Sequence, residues 1–251
     1  MDAKDIHDLI ERLRRQFGAR RAEGSGALIV GVTGGVAVGK TTFAETLAEK
    51  MRHWPERPAV EIVSTDGFLL PNRILAERQL SYRKGFPESY DVDALTATTE
   101  SLRAGRPTGV PRYSHVTYDV DLDNVQHIAR IDIAIIDGLH LGRLKETYGG
   151  HKLIDCLIYL DADEADIEHW FRNRLFPLMI AGRDDPKSFY HSFRSLDEEG
   201  ALAFIQRVWA GINLPNLRDH IIKDRDVADV VVRKARDHSV ASMRLPASQG
   251  W

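Results

Sequence analysis

Cysteine is nearly missing from this chain: Cys156 is the one example in 251 residues. That excludes a disulfide framework and a cysteine-built structural zinc site. An excess of either charge is missing too. Lys and Arg total 34 against 37 Asp and Glu, a formal charge of −3, so nothing draws the whole chain to nucleic acid or to an anionic membrane surface. No apolar run approaches the roughly 18 residues of a membrane span, and Met1-Asp2-Ala3-Lys4-Asp5 leads into no apolar signal segment. Internal repeats and low-complexity tracts are absent. What is present is an ordinary globular balance of 43% hydrophobic and 28% charged residues, which argues against wholesale disorder. The expectation is a soluble, cytoplasmic protein with neither a nucleic-acid nor a membrane partner.

The length suits one large domain or two small ones, and the pattern favours one. Ile6, Leu9, Ile10, Leu13 and Phe17 recur at helical spacing, predicting an amphipathic N-terminal helix within residues 1–23. Apolar runs of strand length follow at 27–32, 59–64, 131–136, 153–160 and 227–232. Helical patterns lie between most of them, around 41–53, 92–104, 163–180 and 197–213. Runs rich in Val and Ile separated by helices predict an α/β fold, a mostly parallel sheet flanked by helices on both faces. Residues 67–124 contain two stretches without periodicity, 67–91 and 106–124, rich in Pro, aromatics and charge. Irregular insertions of this kind are usually functional loops or lids.

The strongest local pattern is Gly34-Gly35-Val36-Ala37-Val38-Gly39-Lys40-Thr41, followed by Thr42. It fits G-x-x-x-x-G-K-[ST] without a mismatch, between a strand-like run and an amphipathic helix, as a phosphate-binding loop requires. Glycines let backbone N–H groups turn inward around phosphates. Lys40 would reach the β- and γ-phosphates, and Thr41 would offer its hydroxyl to Mg²⁺. The chain therefore binds a nucleoside triphosphate. It lacks G-x-G-x-x-G and N-K-x-D, which sets aside dinucleotide folds and most GTPases. A small-molecule kinase leads, ahead of an ATP-dependent switch or hydrolase.

Such a kinase needs carboxylates at the carboxyl ends of strands beside the loop. Asp66, in Ser64-Thr65-Asp66-Gly67, and Asp137, in Ile136-Asp137-Gly138, stand where a parallel sheet would put them. One would orient or deprotonate the acceptor hydroxyl and the other would hold Mg²⁺, directly or through water; spacing does not say which. Arg172 and Arg174 are both available to neutralise a transferring phosphoryl group. His115 is as compatible with structure as with function, and Cys156 reads as a buried, inert residue.

Longer strings carry a resemblance. GVTGGVAVGKTT, STDGFLLPNRILAERQL, RKGFPESYD and VPRYSHVTYDV, with a looser match from Trp170 to Leu217, make residues 28–245 similar to the bacterial type I pantothenate kinases. Those belong to the P-loop kinase superfamily of uridine kinase and phosphoribulokinase. The resemblance implies a single P-loop kinase domain over residues 1–251, with 67–124 on the substrate side and 163–215 as a helical lid. It implies ATP- and Mg²⁺-dependent phosphorylation of pantothenate, the first step of coenzyme A biosynthesis, by a homodimer in which the N-terminal helix is one candidate contact. By position it implies Asp66 as catalytic base, Lys40 and Thr41 on the ATP phosphates and Mg²⁺, and Arg174 as a transition-state arginine. Lys84, His115, Tyr118, Tyr190 and Asn213 would line the acceptor side, and Lys234 and His238 the adenine.

Departures from the family pattern are as specific. The substrate tyrosine is Phe171, and the strand-end acid is Asp137 in place of Glu, followed by Gly138-Leu139-His140. An arginine tied to ATP and to coenzyme A feedback is replaced by Glu45. Aromatic positions that hold the coenzyme A thiol read Leu175, Leu178 and Arg183, while Tyr190 and Phe193 stay aromatic. These changes predict weakened feedback. They also leave two alternatives open: a paralogous kinase for another small alcohol, a nucleoside or sugar phosphate, and a nucleotide-binding regulator with little transfer activity.

Overall fold

Helix α1 (Ala3–Glu23) leads into strand β1 (Leu28–Gly34), helix α2 (Lys40–Arg52) and strand β2 (Val60–Ser64) in a computed structural model that describes residues 3–145 and 152–245. A short 3-10 turn, Thr65–Phe68, then precedes α3 (Asn72–Glu77) and α4 (Val92–Arg103). Strands β3 (Thr108–Ser114) and β4 (Asp119–Ile128) follow, then β5 (Ile133–Asp137) and a single turn, α5 (Gly142–Lys145). After β6 (Cys156–Asp161) come α6 (Glu164–Gly182) and α7 (Glu198–Val208). The chain stays helical through α8 (Leu214–Asn216) and α9 (Lys223–Val227) before β7 (Val230–Lys234) and β8 (Val240–Arg244).

The main sheet runs β2-β5-β1-β6-β7-β8, parallel except for the last strand. β1, β5 and β6 are buried along their whole lengths, which is why they read as unbroken apolar runs. Their side chains alternate between two cores. Leu28, Val30, Val32, Ile133, Ile135, Cys156 and Ile158 face α1, α2, α6 and α7. Ile29, Ala134, Ile136 and Leu157 face α4 and the β3–β4 hairpin. The sheet is thus covered on both faces, as expected, and all five anticipated strands are present. Asp91 caps α4 by accepting from Ala94 N at 2.9 Å, and Asp197 caps α7 by accepting from Gly200 N at 2.8 Å.

Three stretches differ from expectation. Residues 106–124 are not irregular: most of them form the antiparallel β3–β4 hairpin, with a register shift at Pro111/Arg112. One face of that hairpin is wet, so its strands show no apolar run. β8 was not anticipated for the same reason; Val240 is its one buried residue. The last helix also extends well past 213. Pro215 lacks an N–H to donate, and the chain accommodates it between two π-helical segments, Trp209–Asn213 and Leu217–Ile221. Among the described residues no helix is long and apolar enough to cross a membrane.

Candidate active site

The parallel register brings the sequence motifs to one edge. Asp137, the last residue of β5, stands opposite Val32 of β1 and Ser64 of β2, so Asp66 lies just beyond the neighbouring strand. Between β1 and α2 the chain turns through the glycine-rich loop. Gly34 has φ 143°, and a Cβ there would lie 2.4 Å from the Leu160 carbonyl oxygen. Gly39, with φ 93°, opens α2. Ala37 also takes positive φ, Val38 is buried, and Val36 is half-buried on the core. Amides at the start of a 13-residue helix therefore face the loop's interior, a site made for anionic oxygens.

Lys40 donates to the Gly35 carbonyl at 2.9 Å, and Thr41 donates to Asp137 Oδ2 at 2.6 Å. Burial pushes the Lys40 ammonium pKa down, with Asp137 and Asp66 opposing and Arg174 adding to the shift. Burial likewise raises the Asp137 carboxyl, against the pull of Lys40 and Thr41. Asp137 Oδ1 is buried with no hydrogen-bond partner. Thr42 lies exposed on the first turn of α2. Beyond the loop, His238 stacks on Trp170 at 4.0 Å, and its Nδ1 would lie 3.8 Å from a Cβ at Gly39. Lys234, at the end of β7, is half-buried, and burial lowers its pKa. These two residues thus flank the phosphate loop on the β7 side.

The other half of the site is built from the insertions. Ser64 Oγ accepts from Asp66 N at 3.2 Å and shapes the 3-10 turn. The field of the Asp66 carboxylate reaches Lys40, Asp137, Lys84, Tyr113 and Tyr118. Lys84 donates to Asn72 Oδ1 at 2.6 Å and to the Tyr118 carbonyl at 2.5 Å. It sits over the Tyr113 and Tyr118 rings, at 5.1 and 4.5 Å. Burial brings its pKa down to about 8, with Asp119 and Asp66 opposing. Tyr118 stacks on Phe189 at 4.7 Å, and Phe189 N donates to the Val116 carbonyl at 2.7 Å. The hairpin is thereby fastened to the segment that carries Tyr190, which is buried and within the field of Arg174.

Lys40, Thr41, Asp66, Asp137, Arg174, Lys84, Tyr118 and Tyr190 therefore converge. Arg172 does not; it meets His169 instead, at 3.4 Å. His115 is exposed at the hairpin turn, edge-on to Tyr113 at 5.2 Å. Phe171, anticipated on the substrate side, is 8% exposed and packs in the core against Trp209 at 6.1 Å. Asn213 sits in the first π-helical segment with Nδ2 buried and unpartnered. Cys156 is buried as expected, and burial raises its thiol pKa. Sequence reasoning did not single out Asn72, Thr65, Trp170 or His140. Asn72 and Thr65 lie inside the STDGFLLPNRILAERQL string, the signal that could have found them.

Comparison with known proteins agrees with this geometry. The sequence pattern described as the phosphoribulokinase/uridine kinase family matches residues 29–173. A protein of Agrobacterium fabrum named pantothenate kinase is 40% identical over 225 residues, 86% of this chain and 70% of that protein. One of Xanthobacter autotrophicus, with the same name, is 42% identical over 234 residues, 89% of this chain and 72% of that protein. The D-glycerate 3-kinase structure from Cryptococcus neoformans superposes with a TM-score of 0.65 over 95% of this chain and 98% of that one. At 14% identity it speaks for the fold alone.

Proposed function

Because the chain belongs to the phosphoribulokinase/uridine kinase family, on its pantothenate kinase branch, and is an ATP-dependent kinase, we propose that it transfers the γ-phosphoryl group of ATP to the primary hydroxyl of pantothenate. The observation that carries the choice of acceptor is the 40% and 42% identity with two proteins named pantothenate kinase over most of this chain. Asn213, whose Nδ2 is buried without a partner in the protein, is the donor this reading offers to an oxygen of that acceptor.

Asp66 orients that hydroxyl and takes its proton late, since the transition state for phosphoryl transfer is loose and most catalysis is positioning and charge neutralisation. Lys40 and Arg174 meet the charge on the phosphoryl oxygens, and the α2 amides hold the remaining phosphates. Lys234 and His238 border the nucleotide base. Thr41 and Asp137 are the residues that would hold Mg²⁺, and the free Oδ1 of Asp137 fits that role. Among the described residues no three His, Cys, Asp or Glu form a metal cage, consistent with an ion held by one carboxylate, a hydroxyl and substrate phosphates. When bound, Mg²⁺ neutralises charge on the phosphates.

The reading includes a cytoplasmic homodimer and weak feedback by coenzyme A. Glu45 is an exposed carboxylate on α2, where it repels phosphates, and Leu178 is 43% exposed on α6 with no aromatic ring to offer. The test is ADP release from Mg-ATP by the purified protein with pantothenate, set beside a panel of nucleosides and sugar phosphates. Fast pantothenate-dependent turnover is expected, with little inhibition by added coenzyme A. Turnover with another alcohol, and none with pantothenate, refutes the reading.

A further inference from the structure

Three separate stretches of chain meet on one backbone oxygen. The Gly85 carbonyl accepts from His140 Nε2 at 2.8 Å and from Asn216 Nδ2 at 2.8 Å. A carbonyl can only accept, so Nε2 carries the imidazole proton. The preceding peptide is fixed as well, since Gly85 N donates to Ser89 Oγ at 2.9 Å. Both peptide planes around Gly85 are therefore held, and the residue before it is Lys84. His140 lies three residues beyond Asp137, and Asn216 three beyond Asn213. One oxygen thus ties the Lys84 loop to the exit of the Asp137 strand and to the helix that carries Asn213.

The junction holds conformations the chain would not choose locally. Gly85 has φ 90° and His140 φ 60°. For a residue with a Cβ the left-handed region costs about 1–2 kcal/mol, and such strain persists where the surroundings over-determine it. The His140 ring is set edge-on to Tyr90 at 5.8 Å and to His220 at 6.3 Å. Burial, helped by His220 and Arg143 and opposed by the Gly85 carbonyl and Glu88, brings its pKa to about 4. His140 is therefore a neutral donor at pH 7.

We infer that His140 and Asn216 are positioning residues, which act through the Gly85 carbonyl to keep the Lys84 ammonium over the Tyr113 and Tyr118 rings and within the field of Asp66. The arrangement itself rests on the geometry; its effect on acceptor kinetics rests on the function proposed above. Lys84 keeps a depressed pKa only while it is held partly out of water, facing Asp119, Asp66 and the two rings. Releasing either tie lets the ammonium hydrate and its pKa rise.

The test uses His140→Ala, the isosteric Asn216→Asp, which turns an oxygen toward the carbonyl, and His140→Gln, whose amide can restore a donor. The first readout needs no acceptor: the pH dependence of Lys84 labelling by an amine-reactive reagent, followed by mass spectrometry on the full-length protein. The wild-type midpoint is expected near 8, rising by at least about one unit in His140→Ala and Asn216→Asp and returning in His140→Gln. The second readout is kinetic. kcat/KM for the acceptor should fall about 10- to 100-fold, the effect of roughly 1 Å of misplacement, with KM for ATP within twofold of wild type. An unchanged midpoint in folded variants, an equal rise in KM for ATP, no rescue by Gln, or failure of both variants to fold overturns the inference. Absence of pantothenate turnover in the wild type would sink only the acceptor assignment, because the labelling result stands on its own.

Discussion

Gly67→Ala tests whether the hairpin and the Asp66 turn must touch backbone to backbone. A Cβ at Gly67 would lie 1.9 Å from the Pro111 carbonyl oxygen and 2.9 Å from its carbon. Real Cβ contacts do not fall below 3.0 Å, and the obstacle is main chain, which cannot rotate aside. The turn and β3 must therefore part by about 1 Å. Overpacking of this kind costs about 1–3 kcal/mol, a Tm lower by roughly 2–12 °C for a domain of this size. The catalytic effect should be larger and selective. Asp66 is the neighbour of Gly67, and Tyr113, His115 and Tyr118 ride on the hairpin, so an acceptor bridging the two loses its alignment. A displacement of about 1 Å costs on the order of 100-fold. Lys40, Thr41 and Asp137 belong to β1, α2 and β5 and do not move. Steady-state kinetics with each substrate varied in turn, beside a thermal melt, should show kcat/KM for the acceptor down about 100-fold and KM for ATP within twofold. A variant with acceptor kinetics within threefold of wild type, or with the loss chiefly in KM for ATP, would refute the argument that this contact aligns the acceptor half.

Further expectations concern single side chains. Asp66→Asn keeps the shape of the turn but removes the proton acceptor, and kcat should drop about 10²- to 10⁴-fold while ATP binding, followed by fluorescence titration, survives; near-normal turnover would assign the base elsewhere. Asp137→Asn should raise the Mg²⁺ concentration needed for half-maximal rate about tenfold or more, with saturating metal restoring part of kcat; an unaltered metal dependence would remove Asp137 from the metal site. Asp224, buried where it accepts from Thr33 Oγ1 at 2.7 Å and Gly142 N at 3.0 Å, has its pKa raised to about 6 by burial. The folded state then holds a proton that the unfolded state has released, so stability falls as pH rises from about 4 to about 6, by ~3 kcal/mol over the window. Asp224→Asn should flatten that slope in urea unfolding at pH 4 and pH 7, and an unchanged slope would place the titration elsewhere. Phe171→Tyr adds a hydroxyl in the core beside Trp209; a lower Tm with no gain in KM for pantothenate is expected, and a lower KM would return this residue to the acceptor site.

Legibility followed burial and locality. β1, β5 and β6 are covered on both faces, so their apolar runs could hardly be anything else, and the phosphate loop is a local motif whose meaning is carried by eight consecutive residues. Asp66 and Asp137 were legible because parallel strands bring their ends to one edge. Neither the hairpin nor β8 announces itself, because each is wet on one side. The contacts that set the site are less legible still. Nothing local says that Gly67 must admit the Pro111 carbonyl or that a Cβ at Gly138 would come within 1.7 Å of Thr65 Oγ1. Likewise His140 and Asn216 reach Gly85 across 55 and 131 residues of sequence. Phe171 shows a related limit: similarity marks a position, whereas its burial and packing against Trp209 are set by contacts from a distant part of the chain.

Three of the departures from the family pattern, Phe171, Leu175 and Leu178, share one stripe of α6 with Arg174. Phe171, Arg174, Leu175 and Leu178 follow each other at three- and four-residue spacing on α6, so they share a face. Exposure rises along it, from buried Phe171 through half-buried Leu175 to open Leu178. Arg174 is the member whose charge reaches Lys40, Tyr118 and Tyr190. The hydrogen bonds of the phosphate apparatus do not draw on residues 171, 175 or 178: Lys40 donates to the Gly35 carbonyl and Thr41 to Asp137 Oδ2. On the reading proposed above, substitutions at the more exposed positions 175 and 178 alter what the acceptor side admits and leave these hydrogen bonds intact. On that reading Arg174 cannot vary with them, because its charge reaches both Lys40 and Tyr118.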